Sequence, residues 1–184
     1  MNITRSLSML LFVIVLSDGR IAMPNDTELK DRLVPTLRGV CFGPYRANQN
    51  PDCGVHPTTE EVREELQFIK DAGIAPKIRT YSSVKTLSNV PKICRELGLE
   101  CWPGAWLGKY PCANEREIQA LIKVGKLKLP NCPVLIVGNE VLHRKDLSED
   151  ELIIDIERVK KETGMQVAYA DCEDFCQYPK VVEA

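Results

Sequence analysis

Short apolar segments alternate with amphipathic segments along the chain from residue 38 onward. Each apolar segment ends in polar residues and is followed by a segment with helical periodicity, after which another apolar segment begins. The five apolar segments cover residues 38–45, 76–82, 99–108, 133–141 and 166–172. A regular succession of strand and helix, at roughly 30 residues per unit, predicts parallel strands joined by right-handed crossovers.

Four amphipathic segments predict the helices between these strands: residues 58–73, 84–98, 114–127 and 148–164. Thr58, three residues before Glu61, is typical of a capping box at the start of the first helix. Ser148 begins the last helix in the same way, and Gly164 marks its end. Pro91 indicates that the second helix begins late or is broken.

Two architectures fit this pattern, an open doubly wound sheet and a (β/α)₈ barrel of the TIM type. No glycine-rich nucleotide-binding loop follows the first strand, which counts against an open nucleotide-binding sheet. Polar residues at the carboxyl ends of the strands favour the barrel, because those ends converge on one mouth. These residues are Tyr45, Arg46, Arg79, Thr80, Tyr81, Trp106, Asn139, Glu140 and Asp171. We therefore expect an α/β fold with a parallel barrel.

The fourth strand raises a question about Glu140, because a buried apolar run ends there in Gly138, Asn139 and Glu140. Side chains alternate along a strand, so a Glu140 that points into the mouth has Gly138 beneath it, and space below the site is expected. A mouth with a carboxylate, an arginine, amides and aromatic rings suits a carbohydrate, since sugars present hydroxyls and apolar C–H faces. Trp102, early in its strand, is more typical of a core residue.

The N-terminal segment is predicted to be a secretory signal peptide over residues 1–22. Residues 7–16 form an apolar run after one positive charge, and the run is too short to span a bilayer comfortably. A buried helix, a short membrane anchor and a translation start at Met23 are the alternatives. An extension over residues 23–37 carries a glycosylation sequon at Asn25, and residues 38–184 form the partial barrel domain. We expect a secreted glycoprotein with no membrane contact after signal removal.

The eight cysteines agree with an oxidising compartment and predict disulfide bonds, although 105 pairings are possible. A redox or metal protein is the rival hypothesis, but the pairs Cys53 with His56 and Cys172 with Cys176 lack the usual zinc spacing. We expect no metal and no cofactor. The net charge of −2 gives no reason to expect a nucleic-acid partner.

Six segments of the chain resemble the N-terminal half of family 17 glycoside hydrolases, the β-1,3-glucanase-like group. They cover residues 39–51, 78–83, 103–109, 114–118, 136–144 and 147–152. The sequence GNEV following RTY in that order and spacing is the most specific of these signals. The resemblance implies a retaining hydrolase of O-glycosyl bonds in β-glucan, most of all β-1,3-glucan, on a (β/α)₈ barrel.

The resemblance also implies roles for individual residues. Glu140 corresponds to the general acid/base, and Asn139 to the residue that binds the 2-hydroxyl of the sugar beside the scissile bond. The further substrate-binding residues that we expect at the mouth are Arg79, Tyr81, Tyr45, Trp106 and Asp171.

One departure from the family concerns the second carboxylate. The family's nucleophile is a glutamate on strand 7, whereas this sequence is expected to end after strand 5. Three interpretations follow: a truncated glucanase that is inactive alone, an enzyme that uses Asp171 as its second carboxylate, or a non-catalytic glucan-binding or effector protein. The exposed edges of a partial barrel also predict self-association.

Overall fold

A computed structural model describes residues 37–172 and 177–183 as an α/β fold with parallel strands. The predicted signal peptide, the extension to residue 36 and the sequon at Asn25 lie outside the described residues. The strands are β1 (Val40–Phe42), β2 (Lys77–Thr80), β3 (Glu100–Trp102), β4 (Gly104–Ala105), β5 (Val134–Asn139) and β6 (Gln166–Ala170). They pair in parallel in the orders β1-β2-β3 and β4-β5-β6, so neighbours in the sheets are neighbours in the sequence.

Helices follow the strands as the periodicity predicts. They are α1 (Thr59–Asp71), α2 (Val90–Leu97), α3 (Pro111–Lys126), α4 (Glu149–Thr163) and α5 (Pro179–Glu183), with 3-10 turns at Pro51–Cys53 and Lys85–Asn89. Thr58 and Ser148 form the expected capping boxes, each through reciprocal bonds with the glutamate three residues later. Pro91 lies in the first turn of α2, which confirms the late start of that helix.

The third apolar segment is divided into two strands at Pro103, which the sequence pattern did not predict. Proline has no N–H to donate, so the ladder with β2 ends at Trp102. The Pro103 carbonyl nevertheless accepts a hydrogen bond of 2.9 Å from the Ile136 N–H, and β4 then continues the pairing with β5. At Pro103 the chain therefore leaves the first sheet and enters the second, and β3 is followed directly by β4.

Gly104 makes this transition possible. Its N–H donates to Thr80 Oγ1 at 3.1 Å, and its carbonyl accepts from Ser83 Oγ at 2.7 Å. A Cβ at residue 104 would lie less than 3.0 Å from the Thr80 backbone oxygen. Only glycine allows β4 to approach the end of β2 this closely.

Two separate apolar clusters form the core. The first joins β1, β2 and β3 to α1 and α2, and it includes Ile78 and Leu66. The second joins β4, β5 and β6 to α3, α4 and α5, and it includes Val137 and Leu152. Each fully buried side chain of this kind stabilises the fold by about 1.5–3 kcal/mol relative to an exposed one. The junction at Pro103 separates the two clusters.

Within the described residues no helix has the length and apolar character of a membrane span.

Candidate active site

The backbone at the end of β5 is irregular where Glu140 leaves the strand. Its pairing with β6 shifts register between Ile136 and Asn139, and Gly138 and Glu140 have positive φ angles of 81° and 53°. The Glu140 N–H donates to the Ala170 carbonyl at 2.8 Å, so the unusual conformation is held by the neighbouring strand. A left-handed conformation costs a residue with a side chain about 1–2 kcal/mol. Such strain is concentrated at functional sites.

Gly138 does not lie above open space, contrary to the expectation from alternation. A Cβ at this position would lie 3.3 Å from Tyr169 Cε2, 3.3 Å from Val141 Cγ1 and 3.4 Å from Leu152 Cδ1. Gly138 therefore faces packed side chains, and the expected vacancy beneath Glu140 is wrong. The positive φ angles explain the difference, because simple alternation of side chains requires an extended strand.

Asn139 and Arg79 are in direct contact at the mouth. Asn139 is only 6% exposed, and its Oδ1 accepts a hydrogen bond of 2.6 Å from Arg79 Nη2. Arg79 Nη1 lies 3.7 Å from the Cys41 Sγ, and the guanidinium carbon lies 5.3 Å from the centre of the Tyr81 ring. The ends of β1, β2 and β5 thus converge through one guanidinium.

Tyr81 and Trp106 form an aromatic pair beside this arginine. Their ring centres are 6.2 Å apart at an interplanar angle of 68°, an edge-to-face arrangement. Tyr81 is 36% exposed and Trp106 is 42% exposed, so both rings present surface to solvent. Burial of the phenol and a hydrogen bond with Cys41 raise the pKa of Tyr81.

Arg144 is a structural part of the site, and the sequence analysis assigned it no role. It donates to the Asn139 carbonyl, to the Leu107 carbonyl at 2.7 Å and to Asp146 Oδ2 at 2.8 Å. Its guanidinium carbon also lies 4.5 Å from the centre of the Trp106 ring. Arg144 therefore ties the end of β5 to the loop after β4. The one sequence signal for Arg144 was its position in residues 136–144, a segment that resembles family 17 glycoside hydrolases.

Glu117 is the second residue that the sequence pattern missed. It projects from α3, and its carboxylate accepts from Ser82 Oγ at 2.8 Å and from the Trp106 N–H at 3.2 Å. Burial raises the pKa of Glu117, although these hydrogen bonds act in the opposite direction. Helical periodicity identified Glu117 as part of an amphipathic segment but could not show which strand ends it reaches.

Two of the predicted site residues have other polar partners. The Tyr45 hydroxyl lies 3.1 Å from His56 Nδ1, and its ring packs against the first apolar cluster. Asp171 Oδ2 accepts from the Tyr169 hydroxyl and from the His143 N–H at 3.4 Å. These contacts show how both residues are held at the strand ends.

The described residues include one group of side chains with the composition of a metal site. Donor atoms of His143, Asp171 and Cys172 lie within 4.8 Å of one another. Imidazole, carboxylate and thiolate all ligate zinc. Two of the three side chains are exposed, and exposed groups of this type commonly occur without an ion.

Comparison with known proteins identifies the family. Residues 39–180 match the sequence model of the BtgE/BtgC glycoside hydrolase domain. The chain belongs to this family. This match covers most of the sequence and, with the structural similarities below, confirms the resemblance to family 17 glycoside hydrolases. No protein with a curated description matches the chain.

Two solved structures are similar to this BtgE/BtgC domain. The family 17 β-1,3-glucanosyltransferase from Rhizomucor miehei is 25% identical with a TM-score of 0.63, over 81% of this chain and 54% of the other. An active-site mutant of the Rhizomucor miehei β-1,3-glucanosyltransferase in complex with laminaritriose is 26% identical with a TM-score of 0.61, over 75% and 50% of the respective chains. The domain therefore spans about half the length of these structures.

Proposed function

We propose that this domain binds β-1,3-glucan at the carboxyl ends of its strands and that Glu140 is a general acid/base for cleavage of the glycosidic bond. The observation that carries the proposal is the Asn139–Glu140 pair, held at the end of β5 by Arg79 and by β6. Membership in a glycoside hydrolase family and similarity to a glucanosyltransferase that was solved with laminaritriose support it.

The chemistry requires a proton donor and a second carboxylate. In a retaining reaction the protonated Glu140 transfers its proton to the leaving glycosidic oxygen as the bond to the anomeric carbon breaks, while the nucleophilic carboxylate forms a glycosyl ester. Glu140 then removes a proton from the incoming hydroxyl, which displaces the carboxylate and restores both groups. Asn139 binds the 2-hydroxyl, while Arg79 holds the amide in place.

The second carboxylate has two candidate sources. It comes either from Asp171 or from a region like the part of the longer glucanosyltransferase that this domain does not cover. For Asp171 the reaction is inverting, with a water held between two carboxylates about 6.5–9.5 Å apart. The Asp171 carboxylate already accepts hydrogen bonds from Tyr169 and His143. These bonds favour a carboxylate from outside this domain over Asp171.

The acceptor of the glycosyl group distinguishes two enzymatic outcomes. Water as the acceptor gives hydrolysis, whereas a sugar hydroxyl gives the glucanosyl transfer named for the similar structures. The alternative to both is a non-catalytic secreted protein that binds glucan or acts as an effector. The open Tyr81–Trp106 pair favours glucan binding in either case, because exposed rings can stack on sugar faces.

The test measures laminaritriose binding by calorimetric titration and product formation from β-1,3-glucan oligosaccharides by chromatography. We expect the wild type to bind, Glu140→Gln to bind without forming products, and Asn139→Ala to bind more weakly. Glu60→Gln, an exposed position on α1, is the matched control for loss of a carboxylate. Binding by the wild type without products supports the non-catalytic alternative, and the absence of binding contradicts the proposal.

We also propose that the described strands are part of a (β/α)₈ barrel with β1 and β6 at its edges. Among the described residues β1 pairs with β2 alone and β6 with β5 alone, whereas β3 and β4, which also pair with one strand each, follow one another directly at the Pro103 junction. Edges of this kind pair readily with other strands, which supports self-association through them. Multi-angle light scattering of the purified domain is expected to show a dimer or larger species, and a concentration-independent monomer would contradict self-association.

Secretion, glycosylation at Asn25 and disulfide formation are further parts of the proposal. Cys94, Cys101 and Cys132 lie as thiols in the first apolar cluster, and the hydrogen bonds that Cys101 donates to Cys132 and Cys94 raise the pKa of Cys101. In an oxidising compartment we expect Cys101 to form a disulfide with Cys94 or Cys132. The two thiols release two protons, and a disulfide oxidoreductase accepts the two electrons. Peptide mapping of the secreted protein under non-reducing conditions, with N-terminal sequencing, tests all three features.

A further inference from the structure

Glu117 connects two loops that meet at the mouth. Its Oε1 accepts from Ser82 Oγ at 2.8 Å, and Ser82 directly follows Tyr81. Its Oε2 accepts from the N–H of Trp106 at 3.2 Å. One carboxylate, carried by α3, therefore holds the Ser82 side chain beside Tyr81 and the backbone of Trp106.

The environment of Glu117 differs from that of the acidic residues on the protein surface. Glu117 is partly buried, and this burial raises its pKa. A buried carboxyl group is costly unless hydrogen bonds satisfy its oxygens, and here each oxygen has a donor from a different loop. Both oxygens of Glu117 are therefore engaged in holding protein groups.

The same face of α3 holds the Trp106 loop at a second point. Asn114, three residues before Glu117, accepts from the Gly108 N–H at 2.8 Å and donates to the Gly108 carbonyl at 2.8 Å. Residues three apart lie on one side of a helix, so the two side chains hold successive parts of one loop. Glu117 differs from Asn114 because it also reaches the end of β2 through Ser82.

The aromatic pair depends on this connection because its members come from different sheets. Tyr81 follows β2, in the first sheet, and Trp106 follows β4, in the second. Their edge-to-face contact, with centres 6.2 Å apart, requires both loops to keep a fixed relative position. Glu117 is the described side chain that hydrogen-bonds to both loops, in Ser82 and Trp106.

We propose that Glu117 is a positioning residue that sets the arrangement of Tyr81 and Trp106, and that this pair receives the C–H face of one β-linked glucosyl ring. The proposal rests on glucan binding as the proposed function. The equatorial hydroxyls of β-glucose leave both ring faces lined by C–H groups, which is the surface that an aromatic ring accepts. Glu117 touches neither the sugar nor the reacting atoms, and it acts through the two rings.

The experiment places Glu117→Ala and Glu117→Gln in a Trp102→Phe background, so that Trp106 is the one tryptophan that emits. Emission and acrylamide quenching of Trp106 are measured without ligand, and laminaritriose is then titrated. We expect Glu117→Ala to make Trp106 more accessible to acrylamide and to weaken laminaritriose binding roughly tenfold. Glu117→Gln keeps the shape and one acceptor, so it should restore part of both properties.

Lys123→Ala, at an exposed position on α3, is the matched control and should change neither property. Urea denaturation shows whether each variant is folded. If Glu117→Ala does not fold, Ser82→Ala takes its place, since it removes one of the two hydrogen bonds to Glu117, together with the bond of 3.2 Å that Ser82 Oγ accepts from the Val84 N–H. Unchanged Trp106 emission, quenching and affinity in the folded variants would overturn the proposal.

Failure of the proposed function gives a different result from failure of this inference. If the parent protein does not bind laminaritriose, glucan binding fails, and with it the ring-stacking part of the inference. The ligand-free emission and quenching still decide the positioning part. A change confined to Glu117 and Ser82 variants supports that part, and the absence of a change rejects it.

Discussion

Arg79 donates a hydrogen bond of 2.6 Å to the side-chain oxygen of Asn139, although the two residues are 60 positions apart in the chain. Arg79 belongs to β2 in the first sheet and Asn139 to β5 in the second. The bond fixes which way the Asn139 amide faces, because an oxygen that accepts from Arg79 leaves the amide nitrogen as the remaining donor. The orientation of the Asn139 amide is thus set by a charged residue on another strand.

Arg79→Lys is expected to weaken laminaritriose binding about tenfold, since a hydrogen bond to a charged group contributes about 1.5–3 kcal/mol and lysine lacks the planar fork. Calorimetric titration measures the change. Arg63→Lys is the control, because Arg63 forms an exposed ion pair with Glu96 on α2. Equal affinities for the two variants would contradict a special role for Arg79.

The backbone at Glu140 gives a prediction about stability. Because its φ angle is 53°, Glu140→Gly should have a free energy of unfolding about 1 kcal/mol greater than that of Glu140→Ala, as measured in urea. Both variants lack the carboxylate, so the comparison isolates the backbone. At Glu64, inside α1, the order should reverse, because glycine is about 1 kcal/mol worse than alanine in a helix. If the alanine variant were more stable than the glycine variant at both positions, residue 140 would be unstrained.

Gly104→Ala should lower the free energy of unfolding by about 1–3 kcal/mol, because the new Cβ collides with the backbone oxygen of Thr80. Gly43→Ala is the matched control, since a Cβ there meets no atom within 4 Å. Its effect should stay within about 0.5 kcal/mol. Urea unfolding followed by far-ultraviolet circular dichroism measures both, and a Gly104→Ala variant as stable as the control would contradict the close approach of β4 to β2.

The pair Glu115–Arg158 predicts a dependence of stability on pH. Arg158 donates to both oxygens of Glu115, at 2.6 and 2.8 Å, and lowers the pKa of Glu115 from 4.5 to about 2. A lowered pKa in the folded state means that the carboxylate stabilises the fold above pH 4.5, and that this contribution is lost as the pH falls toward 2.

Glu115→Gln should therefore reduce stability at neutral pH and make the decline between pH 4.5 and 2 less steep. Urea midpoints at a series of pH values measure the slope. Glu60→Gln, at an exposed position on α1, provides the comparison. A Glu115→Gln slope identical to that of the wild type would show that the ion pair between α3 and α4 does not form in solution.

The sequence was sufficient to predict the order of strands and helices because each element has its own periodicity and caps. It placed the start of α3 at residue 114, whereas the helix begins at Pro111, a residue that suits the first helical turn. It also treated residues 99–108 as one strand. The break at Pro103 follows from its missing N–H, a property that hydrophobic periodicity does not register.

The candidate site was predictable where the residues lie at strand ends and unpredictable where they act from a helix or loop. Asn139, Arg79, Tyr81 and Trp106 could be grouped because parallel strands end at the same edge. Glu117 could not be added to that group, because its contacts depend on how α3 packs against the sheets. Such contacts are set by tertiary packing, which local sequence patterns do not contain.

The junction at Pro103 has a consequence for motion. It lies between two cores, and the contacts that build the mouth, Arg79 with Asn139 and Tyr81 with Trp106, cross from one side to the other. Amide hydrogen exchange at Gly104 and Ile136 reports the opening of this junction. Under the proposed function, a glucan that contacts both sides would stabilise the arrangement in which the two cores are joined, so affinity for the ligand and cohesion of the two cores would be thermodynamically linked. A substitution that loosens the junction is then expected to weaken binding even though it touches no residue of the site.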